Sequence, residues 1–219
     1  LFRSAMASEL NTLFGIGNTV VLNNPVDIAR FSDRLNKAEA KKLLGIPEDA
    51  FVIGHVGRFG DEKNHAFICE IFKEALKREP QSFLLLVGDG PLKEKTIGTL
   101  EAFTDRFLVL SNRSDMPELY AAMDVFILPS KFEGLPVTLI EAQAAGKRCV
   151  IASNITRSAV VSGSIAALDI DGNSSEWADI ALYGGESLEI HGDILDFDIR
   201  KIISDLSELY AENQGLSKG

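Results

Sequence analysis

FVIGHVGRFGDEKNHAFICEIFKEALKREPQSFLLLVG, residues 51–88, contains two apolar runs with an amphipathic segment between them. FVIGHVG (51–57) and SFLLLVG (82–88) read as strands. HAFICEIFKEALKR (65–78) carries apolar residues at helical spacing. Strands apolar on both faces imply a parallel sheet covered on both sides, since an alternating pattern would mark a solvated face. The beat continues. Helices are expected over 91–102, 115–122 and 136–145, and strands at RFLVL (106–110), DVFILP (124–129) and RCVIAS (148–153). Right-handed crossovers then give an α/β domain with a doubly wound, mostly parallel, Rossmann-like sheet.

The flanks carry weaker signals. Residues 1–14 have helical spacing that ends at Gly15 and Gly17, and TVVLNNPVD (19–27) reads as a strand running into a turn at Pro25. A short helix is expected over 38–44. IAALDI (165–170) reads as a strand and SSEWADIAL (174–182) as a helix with a serine cap. The last amphipathic helix covers 197–212, and NQGLSKG is expected to fray. The expected division is 1–17 as a residual segment of a preceding domain, 18–196 as the ligand-binding domain, and 197–219 as a terminal helix and tail. The sequence opens at Leu1 as if in mid-protein, so a piece of a longer chain is expected.

Composition narrows the function classes. The 219 residues are 46% hydrophobic and 25% charged, an ordinary globular balance. A net charge of −10 disfavours nucleic acid as a partner and leaves room only for a local anion site. No apolar run approaches the ~20 residues of a membrane span, and no signal peptide is expected from the opening residues. Cys69 and Cys149 lack metal or disulfide spacing and read as reduced core thiols.

In an open parallel sheet, ligands bind at the carboxyl ends of the strands. There the loops 58–64, 88–91, 111–114, 129–135 and 153–157 gather glycines, basic residues and a carboxylate. Arg58 follows its strand directly. Lys63 precedes Asn64, a candidate cap for the helix at 65–78, and a guanidinium and an ammonium beside a helix N-terminus suit a diphosphate. Two solvated cations near Asp61 and Glu62 are the alternative. KFEGLPVTLIE (131–141) sets Glu133 at a helix mouth and Glu141 about 7 Å further along the axis, on the face of Val137 and Thr138. Pro136 suits a first helical turn, leaving the amides of Gly134 and Leu135 free for an anion or hydroxyl. A nucleoside diphosphate sugar fits that layout, with the sugar at Glu133, phosphates at 134–136 and ribose at Glu141. A solvent-facing Glu141 is the alternative.

Five collinear segments carry a resemblance: GRFGDEKNH (57–65), VGDGP (87–91), AAMDVFILPS (121–130), FEGLPVTLIEAQAAG (132–146) and VLNNPVD (21–27). Together they resemble the nucleotide-binding, carboxyl-terminal half of family-4 retaining glycosyltransferases of GT-B architecture, over roughly residues 16–155, including that family's Glu-x7-Glu motif. The closest likeness is to bacterial enzymes that build capsular or exopolysaccharide chains. The resemblance implies that Arg58 and Lys63 hold the donor diphosphate and, with Glu133, act in catalysis. It implies that Glu133 and the backbone of Gly134, Leu135 and Pro136 meet donor sugar and phosphate, and that Glu141 binds ribose. Gly57, Gly88, Asn112 and Val137 complete the donor-binding set, with the 110–113 loop near the base. The implied donor is a nucleoside diphosphate sugar, with uridine the commonest base, used without a metal or other cofactor. The acceptor is a sugar or lipid-linked molecule brought by an amino-terminal half that this chain lacks, so the chain alone is not expected to catalyse transfer. The implied location is the cytoplasm, with the full-length protein at the inner face of a membrane as a peripheral protein.

Other candidates are weaker. D-I-D (169–171) and D-F-D (196–198) are chance matches in an acidic chain, and neither follows a strand of the main sheet convincingly. His55, His65 and His191 are assigned no chemistry, and Trp177 is read as a packing anchor. A dinucleotide-binding oxidoreductase would need G-x-G-x-x-G between strand and helix, and GHVGRFG (54–60) has the wrong spacing. A non-catalytic nucleotide-sugar sensor on the same fold stays open.

Overall fold

The computed structural model describes residues 11–15, 21–32 and 35–216. Strands β1 (Phe51–Val56), β2 (Ser82–Val87), β3 (Phe107–Leu110), β4 (Val125–Leu128), β5 (Arg148–Ala152) and β6 (Ile165–Leu168) form one 6-stranded sheet in the order β3-β2-β1-β4-β5-β6. Every neighbouring pair is parallel. The described helices are α1 (Ile28–Ser32), α2 (Lys37–Leu44), α3 (His65–Arg78), α4 (Lys93–Leu100), α5 (Met116–Ala122), α6 (Val137–Ala144), α7 (Ser174–Tyr183) and α8 (Ile199–Leu216), with residues 11–14 also helical. Helix α3 packs on α4 and α7, α2 on α5, and α1 on α6. The doubly wound expectation holds, and the reason is visible in the core. All of β2 and β4 is buried, so both faces of the central strands need a helical cover.

The order reverses between β1 and β4, where chain direction in the sheet turns from leftward to rightward. Their ladder is short, Ile53 beside Val125 and Gly54 beside Phe126. Asp124 pins its start by accepting from the Val52 amide (2.8 Å) and from Lys37 Nζ (2.6 Å), with Lys41 Nζ at 3.7 Å. Gly54 serves packing here. A Cβ would lie 2.1 Å from the Met123 sulfur, so this glycine seats Met123 against β1. GHVGRFG therefore begins within a strand and forms no dinucleotide loop.

Several local expectations change. Residues 21–25 form no strand. Val26 makes a single parallel bridge to Asp198, because Pro25 lacks an amide and the neighbouring chain is the entry to α8. Residues 19–20, like 1–10, lie outside the described residues. The cap of α7 is Asn173, whose side chain accepts from the Ser175 amide, with the serines already helical. Asn64 does not cap α3 with its side chain. It adopts a left-handed conformation (φ 57°) that turns the chain from a 3-10 turn at Asp61–Lys63 into the helix. Pro136 occupies the N-cap of α6 and not its first turn. Strand β6 stops at Leu168, where the Asp169 side chain turns onto the Asp171 amide, so D-I-D does follow a strand of the main sheet. Asp169 and Asp171 nevertheless make a local turn, and Asp196 and Asp198 pair with Lys201 and Arg200. Helix α8 begins at Ile199, capped by Asp198, and reaches Leu216, so residues 213–216 of the expected frayed tail are helical. Cys69 and Cys149 are free and buried, and Trp177 is buried with its indole N–H on the Asp169 carbonyl (3.0 Å).

Two glycines predict opposite outcomes. Gly88 has φ 151°, and a Cβ there would lie 2.0 Å from the Gly57 carbonyl oxygen. Gly98 sits on α4 with nothing within 4 Å of an added Cβ. Urea denaturation should show Gly88→Ala destabilised by about 1–3 kcal/mol through overpacking. Gly98→Ala should be stabilised by about 0.5–1 kcal/mol through helix propensity.

Candidate functional site

The β1–β4 reversal splays the loops after these two strands, so a crevice opens at their carboxyl ends. Arg58, Lys63 and Glu133 all lie on those loops. The loop walls are tied by backbone hydrogen bonds. Gly57 donates to the Val87 carbonyl, Phe59 to Asp89, and Lys131 to Glu62, at 2.9, 2.9 and 2.8 Å. Lys131 Nζ also reaches Asp61 (2.9 Å), and Asn154 Nδ2 donates to the Lys131 carbonyl (2.7 Å). Loops from β1, β2, β4 and β5 are thereby joined into one rim.

Within the rim, Arg58 is exposed and its guanidinium pairs with no carboxylate among the described residues. Lys63 is different. Its ammonium forms an ion pair with Glu133, and the two side chains are only 14% and 11% exposed. Gly57 makes that pair possible, since a Cβ there would lie 3.2 Å from the Lys63 stem and 2.9 Å from His55 Nε2. The alternative of two solvated cations beside Asp61 and Glu62 therefore does not describe Lys63, which crosses the crevice to the β4 loop.

Helix α6 points its N-terminus into the same crevice. The Pro136 carbonyl accepts from Leu139 and Ile140, while the amides of Gly134, Leu135, Val137 and Thr138 have no hydrogen-bond partner among the described residues. Gly134 is exposed and an added Cβ would meet nothing within 4 Å, so neither backbone strain nor packing within the chain demands glycine there. Gly88 and Asn112 stand at the next two strand ends. The Gly88 amide donates to the Leu110 carbonyl (2.8 Å), and its carbonyl accepts from Ser111 Oγ (2.6 Å). The amides of Gly57 and Gly88 are thus committed to the sheet, and these two residues contribute close approach of the loops. Asn112 turns the loop at φ 54°.

Glu141 is half-buried on α6, so the solvent-facing alternative does not hold. Burial raises its pKa, and the Tyr120 hydroxyl and Arg30 guanidinium oppose that rise. Tyr120 Oη donates to Glu141 Oε2 at 2.9 Å. Arg30 on α1 also bonds the Ser114 carbonyl (3.1 Å), tying α1 to the loop after β3. Neither Tyr120 nor Arg30 is a site residue in the sequence reading. A tyrosine inside the apolar helix MPELYAA was the available signal, because a buried phenol requires a partner.

A family profile described as glycosyl transferases group 1 matches residues 50–183.

The chain belongs to the glycosyl transferases group 1 family.

Within that family it is 36% identical over 164 residues to a Bacillus subtilis (strain 168) protein named as a glycosyltransferase, EpsF, covering 73% of this chain and 42% of the relative. It is 36% identical over 141 residues to the Escherichia coli UDP-Gal:alpha-D-GlcNAc-diphosphoundecaprenol alpha-1,3-galactosyltransferase, covering 62% of this chain and 36% of the relative. The chain thus spans less than half the length of either relative. Anabaena Alr3699/HepE, solved in complex with UDP and glucose, superposes with a TM-score of 0.70 at 23% identity over 94% of this chain and 61% of that one. That likeness is one of fold, and the fold is the expected half of a GT-B glycosyltransferase. Among the described residues, no helix is long and apolar enough to cross a membrane.

Beneath the group 1 crevice lie two buried histidines. His55 Nδ1 donates to the Ile127 carbonyl (2.9 Å), so Nε2 is unprotonated and has no partner. His65 stacks on Phe59 with ring centroids 4.1 Å apart and meets His55 edge-on at 5.0 Å. Burial is the largest cause that lowers His55 to about 3 and His65 to about 4, against an ordinary 6.5. Both are neutral packing residues at neutral pH. Their folded values lie below the unfolded value, so the native state binds fewer protons between those limits, and stability falls as pH drops below 6.5. His65→Phe should keep the stack and remove about 2 kcal/mol of the loss at about pH 5, read as a flatter pH profile of urea-unfolding free energy.

Proposed function

We propose that this domain holds the nucleoside diphosphate of a sugar donor, and that the protein it belongs to is a retaining glycosyltransferase. The observation that carries the reading is the convergence of unpaired α6 amides with Arg58 and Lys63 at the strand-order reversal. Unpaired helix N-terminal amides and adjacent cations suit phosphate oxygens. The phosphates then lie against Gly134, Leu135, Pro136 and Val137, with Arg58 and Lys63 as counter-charges. Glu133 meets the sugar hydroxyls, Glu141 the ribose, and the loop at Asn112 lies beside the base. Uridine is supported as the base by the UDP named for Anabaena HepE and in the Escherichia coli relative.

Negative charge grows on the β-phosphate as the glycosidic bond breaks. Arg58, Lys63 and the amides of Gly134, Leu135 and Val137 stabilise it, each donor being worth roughly 2.7–4 kcal/mol by analogy with oxyanion donors. Lys63 begins paired with Glu133, so the diphosphate competes with that carboxylate for the ammonium. The cations supply the charge that a metal would otherwise provide. The acceptor, a polysaccharide or lipid-linked molecule, is bound by an amino-terminal half of the architecture. For a lipid-linked acceptor the reaction sits at the cytoplasmic face of a membrane, with the protein attached peripherally.

Calorimetric titration of the 219-residue chain with UDP should show saturable binding that EDTA leaves unchanged. Arg58 is exposed and unpaired, so Arg58→Ala should weaken UDP roughly tenfold or more with no change in melting temperature, as loss of a charged hydrogen bond requires. Gly134→Ala should weaken UDP in the same way without loss of stability. Binding of NAD with no binding of UDP would defeat the reading.

A further inference from the structure

Glu141 is a carboxylate on a helix that is mostly apolar or small in its neighbourhood, and what orients it comes from another helix. The Tyr120 ring is fully buried on α5, edge-on to Phe31 at 5.8 Å and tilted against Phe126 at 5.9 Å. Those contacts fix where its hydroxyl can be. Oη lies 2.9 Å from Glu141 Oε2 and 3.0 Å from the Thr138 carbonyl oxygen. A phenol has one proton, and an ionised carboxylate is the stronger acceptor. Oε2 is thereby tethered. Oε1 has no hydrogen-bond partner among the described residues and is not fully buried.

We infer that Tyr120 is a positioning residue for ribose recognition. Its hydroxyl holds one oxygen of the Glu141 carboxylate so that the other is presented to the vicinal 2′ and 3′ hydroxyls of the bound nucleotide. This rests on the reading of Glu141 as the ribose contact. A freely rotating carboxylate would have to be ordered at each binding event, and the tether removes that cost before the ligand arrives. The apolar clasp of Phe31 and Phe126 keeps the tether rigid. A tyrosine that merely satisfies its own buried hydroxyl would be indifferent to which sugar the nucleotide carries.

The test is titration of the wild-type chain and Tyr120→Phe with UDP and with 2′,3′-dideoxy-UDP. The substitution removes one oxygen and leaves the ring between Phe31 and Phe126, which a thermal melt checks. Wild type should prefer UDP, and Tyr120→Phe should lose roughly tenfold in UDP affinity with dideoxy-UDP unchanged. In a Glu141→Gln background, adding Tyr120→Phe should bring little further loss of this preference. Equal loss for both nucleotides, or no loss for either, while wild type still prefers UDP, would overturn the role of Tyr120 and leave Glu141 at the ribose. A wild type that binds both nucleotides equally would overturn this inference together with the ribose reading of Glu141. Failure of the donor reading as a whole is distinct again, since neither nucleotide would then bind.

Discussion

Pairing of β1 with β4 is the contact on which the rest of the site depends. Only two residue pairs carry it, and Asp124 secures its start by bonding the Val52 amide while drawing in Lys37 and Lys41 from α2. Because sheet order reverses there, the loops after β1 and β4 diverge, and Arg58, Lys63, Glu133 and Glu141 lie on one of them or on the helix that follows. Asp124 works at the amino end of the strands and the crevice opens at the carboxyl end. The residues that hold the architecture are therefore separate from those that face a ligand.

At the crevice, opposing requirements meet. Lys63 and Glu133 are largely buried, and a buried ion pair recovers its desolvation cost only when both partners stay together. Arg58 has no such partner and is exposed. The two cations thus differ in state before any ligand arrives, one committed and one free. Glu141 shows a related tension, since burial raises its pKa while Tyr120 and Arg30 favour the ionised form. Free amides at the start of α6 complete a site whose polar groups are fixed mainly by backbone and by neighbours outside the crevice.

Much of this was legible in the sequence because the controlling signals are local and periodic. Short unbroken apolar runs bounded by glycine, such as SFLLLVG, read as strands buried on both faces, and their alternation with amphipathic helices points to a parallel sheet. Carboxyl-end loops follow from that topology, which is why Arg58, Lys63 and Glu133 could be assigned to one edge. What was missed depends on contacts between distant residues. The Lys63–Glu133 pair spans 70 positions, and Tyr120 reaches Glu141 across 21, so neither leaves a trace in spacing. Val26 meets Asp198 in a bridge set by tertiary packing, and no strand period in VVLNNPVD could announce its true partner. Cap assignments failed for a different reason. Asn64 and Asn173 share one residue type, yet one uses its tolerance of positive φ and the other its side-chain oxygen, a choice made by the incoming chain.

The central claim is spatial: a nucleoside diphosphate lies along α6, phosphates at its mouth and ribose one turn further on. The direct measurement is a crystal structure of this chain with UDP. The account predicts diphosphate oxygens within hydrogen-bond distance of the amides of Gly134, Leu135 and Val137 and of Arg58, and a ribose hydroxyl on Glu141 Oε1. UDP bound elsewhere, or bound in the crevice with its ribose turned away from Glu141, would contradict it.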